Sequence, residues 1–315
     1  MPRWTLDEAD EEARLANAIA TKLEISVGEA RRLITDDLVR VDGKRAKKGQ
    51  RVGPGTTLDV KAEIRAGERT RDLAAQPDRS VLLDFIYEDE LMLAVNKPEG
   101  LVSHPLRAGE LGTVANAIVA HTPVCAAASI DPREGGLCHR LDRGTTGVLI
   151  AAKTRAAWTA LRASFSEGDV EKTYWAITEG IPDTAAEERI VVDVPLVTRG
   201  GTARALPGDP DALFARTELR VLLSGRGFAL VEARARTGRM HQIRAHLAYL
   251  GHPLVGDTRY GAKSITRVPN DEALLHARGI TIPHPIDGWR MSIAAPVPPG
   301  RRQLIELLLG VPLPT

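Results

Sequence analysis

Three short stretches carry residue types that suit bond-making chemistry. In HRLDRGTTG, His139 to Gly147, Asp142 stands between Arg140 and Arg143, directly before the apolar run VLIAA. An aspartate ahead of a buried strand is most often a turn former. Two neighbouring cations favour its anionic form, and a loop joined to a rigid strand is where catalytic groups tend to sit. The Thr145-Thr146-Gly147 turn permits a close backbone approach.

The second stretch is ARTGRMHQIRAHLAYLGHP, from Ala235 to Pro253. Met240, Ile243, Leu247 and Leu250 recur at helical spacing, Thr237 reads as an N-cap, and Gly251 with Pro253 supplies the stop. Arg239 then falls in the first turn, where the helix dipole opposes a cation by a few tenths up to about 1 kcal/mol. His241 and Arg244, three apart, share one side of the helix. A solvated basic helix accounts for these charges as well as a site does, and a partner such as Asp142 or an RNA phosphate would decide between them. In the third stretch, EKTYWAI from Glu171, strand alternation sends Tyr174 and Trp175 to opposite faces. One can be core while the other faces a cleft.

The elements that must position these residues belong to a chain of 315 residues, a length that suits about two domains. With 43% hydrophobic and 26% charged residues it is globular rather than disordered. No apolar run reaches the roughly 18 residues needed to cross a bilayer. The start, MPRWTLDEADEEARL, lacks the pattern of a secretory signal, which favours a cytoplasmic location. Cys125 and Cys138 are the two cysteines and read as small core residues.

Residues 1–62 read as one small unit. Leu15, Ile19 and Leu23 mark a first helix; Ser26 with Glu29 as a capping box, followed by Ala30, Leu33 and Ile34, marks a second. VRVDGKR then alternates about a turn at Asp42-Gly43, and TTLDV makes a final strand. From Arg31 to Arg51 there are eight basic residues against three acidic ones, although the whole chain carries a net charge of only +1. A patch including Lys44, Arg45, Lys47 and Lys48 on one face suits phosphate. Residues 63–80 are charged and poor in large apolar side chains, as linkers are. Residues 81–315 mix short apolar strands (LMLAV, GVLIAA, FALVEARA) with helical patches, an α+β pattern.

No nucleotide-binding glycine loop follows a strand, and the histidines form no HExxH set, so neither a cofactor nor a metal is expected.

Together these stretches resemble the pseudouridine synthases that modify large-subunit ribosomal RNA. The resemblance runs through YEDELMLAVNKPEGLVSHP, HRLDRGTTGVLIAAKT, EKTYWAI, ARTELRVL, TGRMHQIRAHLAYLGHPLVGDTRYG and LLHARGITIPHP. The N-terminal unit resembles the small RNA-binding domain named after ribosomal protein S4, a small α/β module. The resemblance implies a pseudouridine synthase fold for residues 81–315: α+β, with a central, mostly antiparallel sheet of two halves flanked by helices. It implies that Asp142 is the essential carboxylate, that Arg140 contacts RNA and fills the place of the displaced base, and that Tyr174 stacks on the target uracil. Arg244 would pair with Asp142. Arg239, His241 and Gln242 share the motif, and of these Arg239 and His241 would face RNA. Where the family commonly has Thr-Ser-Gly, this chain has Thr145-Thr146-Gly147, which keeps a hydroxyl.

That chemistry detaches uracil from the ribose, turns it and rejoins it through a ring carbon, with no redox change. The expected partner is RNA, ribosomal RNA or a ribosome assembly intermediate, without a nucleotide cofactor or a membrane. Two other classes compete. A non-catalytic RNA-binding factor has no need of Asp142, Tyr174 and Arg244 together. A hydrolase that cleaves the same bond wants a second carboxylate beside Asp142.

Overall fold

The computed structural model describes residues 3–7, 13–23, 25, 27–61, 74–107, 109–183, 189–266, 268–270 and 272–314. They form two compact units, Met1–Ala74 with Ile130–Pro132, and the remainder from Ala75.

In the first unit, β1 (Arg3–Thr5), β3 (Val39–Val41), β4 (Lys44–Arg45) and β6 (Thr57–Val60) make a sheet in the order β1-β6-β3-β4. A short pair, β2 (Ala13–Arg14) with β5 (Arg51–Val52), lies beside helices α1 (Leu15–Leu23) and α2 (Val27–Thr35). The expected stripes point inward: Leu15, Ile19, Ala30 and Ile34 share a core with Val39, Val41, Leu58 and Val60. Asp42 and Gly43 both take positive φ, 50° and 75°, as a two-residue hairpin turn demands. β1 is an addition to the sequence reading, which gave that segment no strand. The Ser26–Glu29 capping box lies outside the described residues.

The second unit is built on β7 (Asp84–Glu88), β8 (Met92–Lys97), β9 (Thr146–Ala152), β10 (Glu171–Glu179), β11 (Ile190–Asp193), β14 (Arg216–Gly225), β15 (Phe228–Ala235), β16 (Leu275–Pro283) and β17 (Arg290–Ala294). The strand order is β11-β14-β15-β10-β16-β9-β8-β7, with β17 on β16. Every pairing is antiparallel except β16 with β9, where His276 faces Thr146 and Ala277 faces Gly147. That parallel seam joins the two halves. A hairpin, β12 (Leu196–Arg199) with β13 (Thr202–Ala205), stands apart from the sheet.

The apolar runs become strands because both of their faces are covered. Along β8 and β9, Met92, Ala94, Val148 and Ile150 join one core, while Leu93, Val95, Leu149 and Ala151 join another. Each fully buried Leu or Ile there contributes about 1.5–3 kcal/mol. Helix α3 (Val114–His121) lies on the second core, and α4 (Arg155–Glu167) on the first. The latter is capped by Thr154, whose hydroxyl accepts from Ala157 N, and stopped by Gly168 at φ 81°. Helices α5 (Gln242–Tyr249) and α6 (Pro299–Leu309) complete the unit. Among the described residues, no helix is long and apolar enough to cross a membrane.

Two expectations need correction. The last part of the expected linker is packed: Ala75 is buried in the core that holds α3, and Gln76 O accepts from Asn116 Nδ2. Small residues and backbone carbonyls do that packing, so poverty in large apolar side chains misled. The helix expected from Thr237 instead begins at Gln242. Gln242 Oε1 accepts from Thr237 Oγ1 and from Arg239 N, and His241 takes a left-handed φ of 52°. The intervening residues are therefore a clipped loop, and Arg239 bears no helix-dipole penalty.

Candidate active site

Asp142 sits where the chain turns into β9 at the parallel seam. Thr145 N donates to Asp142 O at 3.0 Å, so the turn spans Asp142–Thr145, and Thr146 and Gly147 already belong to the strand. Gly147 has φ 110°, and a Cβ there would come within 2.2 Å of Ala277 O. The glycine is what lets β9 and β16 meet.

The loop is held from inside by two buried cations. Lys97, at the end of β8 and 0% exposed, donates from Nζ to Pro98 O, Arg143 O and Thr145 O at 2.8, 2.9 and 2.8 Å. Arg301 of α6 donates to Gly144 O at 2.9 Å and to Leu275 O at 3.0 Å. Three consecutive carbonyls, 143 to 145, thus accept from buried side chains. The Ser103 hydroxyl donates to Leu141 O and accepts from Leu141 N, and Arg143 Nε donates to Gly100 O. That last bond gives Arg143 a structural place the sequence reading could not assign.

Burial lowers the Lys97 pKa from its usual 10.5 to about 7, with Arg301 pushing the same way. Sequence reasoning missed both cations. A signal existed for Lys97: it continues the face of Leu93 and Val95, both apolar and buried.

Asp142 is met by α5. Arg244 Nη1 lies 3.0 Å from Asp142 Oδ2, while Nε and Nη2 grip Asp257 at 2.7 Å each. Asp257 is fully buried, so its two-point grip fixes the guanidinium that reaches Asp142. Burial alone would depress the Arg244 pKa, but its bonds and charge interactions with Asp257 and Asp142 outweigh that and raise it. The guanidinium also lies 5.0 Å over the Tyr260 ring.

His241 Nε2 stands 3.6 Å from Asp142 Oδ2, and its Nδ1 is 3.0 Å from the Tyr260 hydroxyl. Burial lowers the His241 pKa despite the nearby Asp142, which favours neutral imidazole. Asp257 and Tyr260 were not among the sequence candidates, although both lie in the stretch that carried the resemblance.

Tyr174 of β10 lines the same cleft of about 790 Å³ as Asp142, and Trp175 turns to another core, as alternation requires. Burial raises the Tyr174 phenol pKa, and the Asp142 charge adds to it. Lys172, two residues earlier on the same face, donates to Thr237 O, and burial with the Arg239 charge lowers its pKa to about 8. Arg140 is exposed at the cleft and, among the described residues, makes no hydrogen bond or ion pair. Arg239 is exposed there too, with its Nε on Phe214 O at 2.8 Å. Gln242 shapes the loop before α5 rather than facing the cleft with a free amide: its Nε2 donates to Arg216 O and Thr217 Oγ1. A second hollow of about 490 Å³ shares Arg140, Asp142, His241 and Arg244, so Asp142 stands in the wall between two depressions.

The other expected RNA-facing residues belong to the first unit. Lys44, Lys47 and Lys48 are exposed and have no acidic partner among the described residues, whereas Arg45 is tied to Asp37 at 2.9 Å, as is Arg40 at 2.7 Å. Cys125 and Cys138 are buried thiols whose pKa values burial raises, the first to about 12.

A carboxylate at the seam, an arginine locked onto it and a tyrosine thus share one cleft with several arginines. The chain belongs to the RNA pseudouridylate synthase family, whose model matches residues 91–249, and an S4 domain model matches residues 13–58. It is an RNA pseudouridine synthase, an isomerase.

Among its relatives, the ribosomal large subunit pseudouridine synthase D of Vibrio vulnificus (strain CMCP6) is 34% identical, over 94% of this chain and 90% of that one. The protein of the same name from Escherichia coli (strain K12) is 33% identical, over 96% and 93%. Of solved structures, human RNA pseudouridylate synthase domain containing 4 superposes with a TM-score of 0.56 at 25% identity, covering 71% of this chain and 92% of that one. Human RNA pseudouridylate synthase domain containing 1 gives 0.55 at 25% identity, covering 76% and 100%.

Proposed function

We propose that this chain converts uridines of large-subunit ribosomal RNA to pseudouridine, with Asp142 as the carboxylate that acts on the ribose. The observation that carries the reading is the Arg244 bond to Asp142 at 3.0 Å in the wall of the cleft. The names of relatives matched along nearly the whole chain supply the RNA class.

Asp142 has two routes. It attacks the anomeric carbon and forms a sugar ester as the uracil leaves, or it takes a sugar proton to give an unsaturated intermediate. Both need the anion, which the Arg244 guanidinium beside it favours. The target base must leave its stack, at a cost of a few kcal/mol. The Arg140 guanidinium, which has no protein partner among the described residues, fills the vacancy, and the Tyr174 ring receives the base. Arg239 and His241 line the route of the strand. The S4-like unit adds affinity through Lys44, Lys47 and Lys48, with Arg45 beside them, and the enzyme works among cytoplasmic ribosome precursors.

One carboxylate beside the site is unsuited to a hydrolytic role. Asp257 is buried and engaged at both oxygens by Arg244, so it has none to activate water. The test uses Asp142→Asn, which is nearly isosteric. Pseudouridine mapping of ribosomal RNA from cells with the wild-type gene, without it, and with the variant should show one or more positions lost in the last two. Purified variant should bind RNA as the wild type does yet turn none over. Turnover by the variant, or release of free uracil by the wild type, overturns the assignment.

A further inference from the structure

Phe214 has no place in the chemistry described above, and its surroundings are unlike those of the other three phenylalanines. Phe85 stacks on His121, Phe165 lies against His139, and Phe228 packs on a core. Phe214 is 57% exposed, lines the cleft that holds Asp142, and has no ring partner among the described residues. Single exposed apolar side chains are common and mean little by themselves. Here, however, the backbone on each side is pinned.

Leu213 and Leu196 exchange two backbone hydrogen bonds of 2.9 Å, and Ala215 is fully buried. Arg216 N donates to Thr237 Oγ1, and Phe214 O accepts from Arg239 Nε at 2.8 Å. The aromatic ring is therefore presented on a fixed base into a cleft whose exposed charged groups are four arginines, Arg140, Arg162, Arg236 and Arg239, together with Glu167. A flat apolar face among cations matches a nucleotide, which pairs a flat base with an anionic phosphate. Every base offers such a face whatever its sequence.

We propose that Phe214 is a stacking platform for an unpaired nucleotide flanking the target uridine in the bound RNA. This rests on the reading of the cleft given above. The target base itself goes to Tyr174, half-buried in the same cleft as Asp142, whereas Phe214 is anchored through Arg239 at the rim. Phe214 thus selects RNA in which the neighbour of the target is free to leave its helix. It acts on substrate binding and leaves the bond chemistry alone.

The experiment measures pseudouridine formation by the full-length protein on transcribed large-subunit ribosomal RNA, comparing Phe214→Ala, Phe214→Leu and Phe214→Tyr with wild type. Loss of one stacked base should raise KM by about 5- to 150-fold while kcat holds, since the interaction is equal in the ground and transition states. Phe214→Leu, apolar but not aromatic, should resemble the alanine variant, and Phe214→Tyr should restore KM to near the wild-type value. A leucine variant as good as wild type, or an alanine variant with unchanged KM, overturns the platform while leaving the enzyme assignment standing. Wild-type protein that forms no pseudouridine overturns both. Equal melting temperatures across the series are expected, because the side chain is more than half exposed.

Discussion

Lys97→Met should change how stability depends on pH. Lys97 is held by three carbonyls with no carboxylate in contact among the described residues, and burial lowers its pKa in the folded chain to about 7 against 10.5 when exposed. Between those values the unfolded chain binds more protons, so the lysine makes stability rise with pH. The gain is fully present above pH 10.5 and is lost as pH falls through 7. From pH 7 to pH 9 the linkage integral gives the wild type about 2 kcal/mol relative to a variant that cannot titrate there. The methionine variant's absolute stability also reflects the carbonyls it leaves without a donor, but that offset does not vary with pH. Urea unfolding at pH 7, 8 and 9, followed by tryptophan fluorescence, reads the difference, since Trp158 and Trp175 are both buried in this unit. Parallel pH curves for wild type and variant would refute the claim that burial under the Asp142 loop lowers the Lys97 pKa.

Other substitutions probe the same frame. Gly147→Ala should cost about 3–5 kcal/mol in urea unfolding, because it adds a positive-φ penalty to a collision with Ala277 O at the seam. Asp257→Asn should cost a similar amount, as breaking a buried ion pair does, and should also lower kcat because Arg244 loses its anchor; unchanged turnover would show that Asp142 needs no fixed partner. Changing Lys44, Lys47 and Lys48 together to Gln should reduce the slope of log affinity against log salt by about 2, read by filter binding to ribosomal RNA.

Much of the site was legible because its residues lie in short, ordered stretches. Asp142, Tyr174 and Arg244 each sit on an element whose period the sequence displays: a loop before an apolar run, an alternating strand and a helix. The β8, β9, β10 and β15 segments were readable for the same reason. What the sequence hid is non-local. Lys97 and Arg301 act by donating to backbone carbonyls of a distant loop, and a carbonyl has no letter in a sequence. The start of α5 was misplaced because Gln242 caps its own approach, with Thr237 and Arg239 as donors, where local rules expected Thr237 to cap. Asp257 fell outside the candidates because its partner, thirteen residues earlier, is visible only in the folded chain.

The seam also sets an order of events in synthesis. Asp142 waits for a partner 102 residues further on, Thr146 for His276 at 130, and Gly144 for Arg301 at 157. At about 5–20 residues per second, the growing chain spends many seconds with its carboxylate loop unsupported. A nascent or C-terminally clipped chain therefore carries the reactive residues without the geometry to use them. Losing α6, which reaches the Asp142 loop through Arg301, should silence the enzyme as surely as losing Asp142.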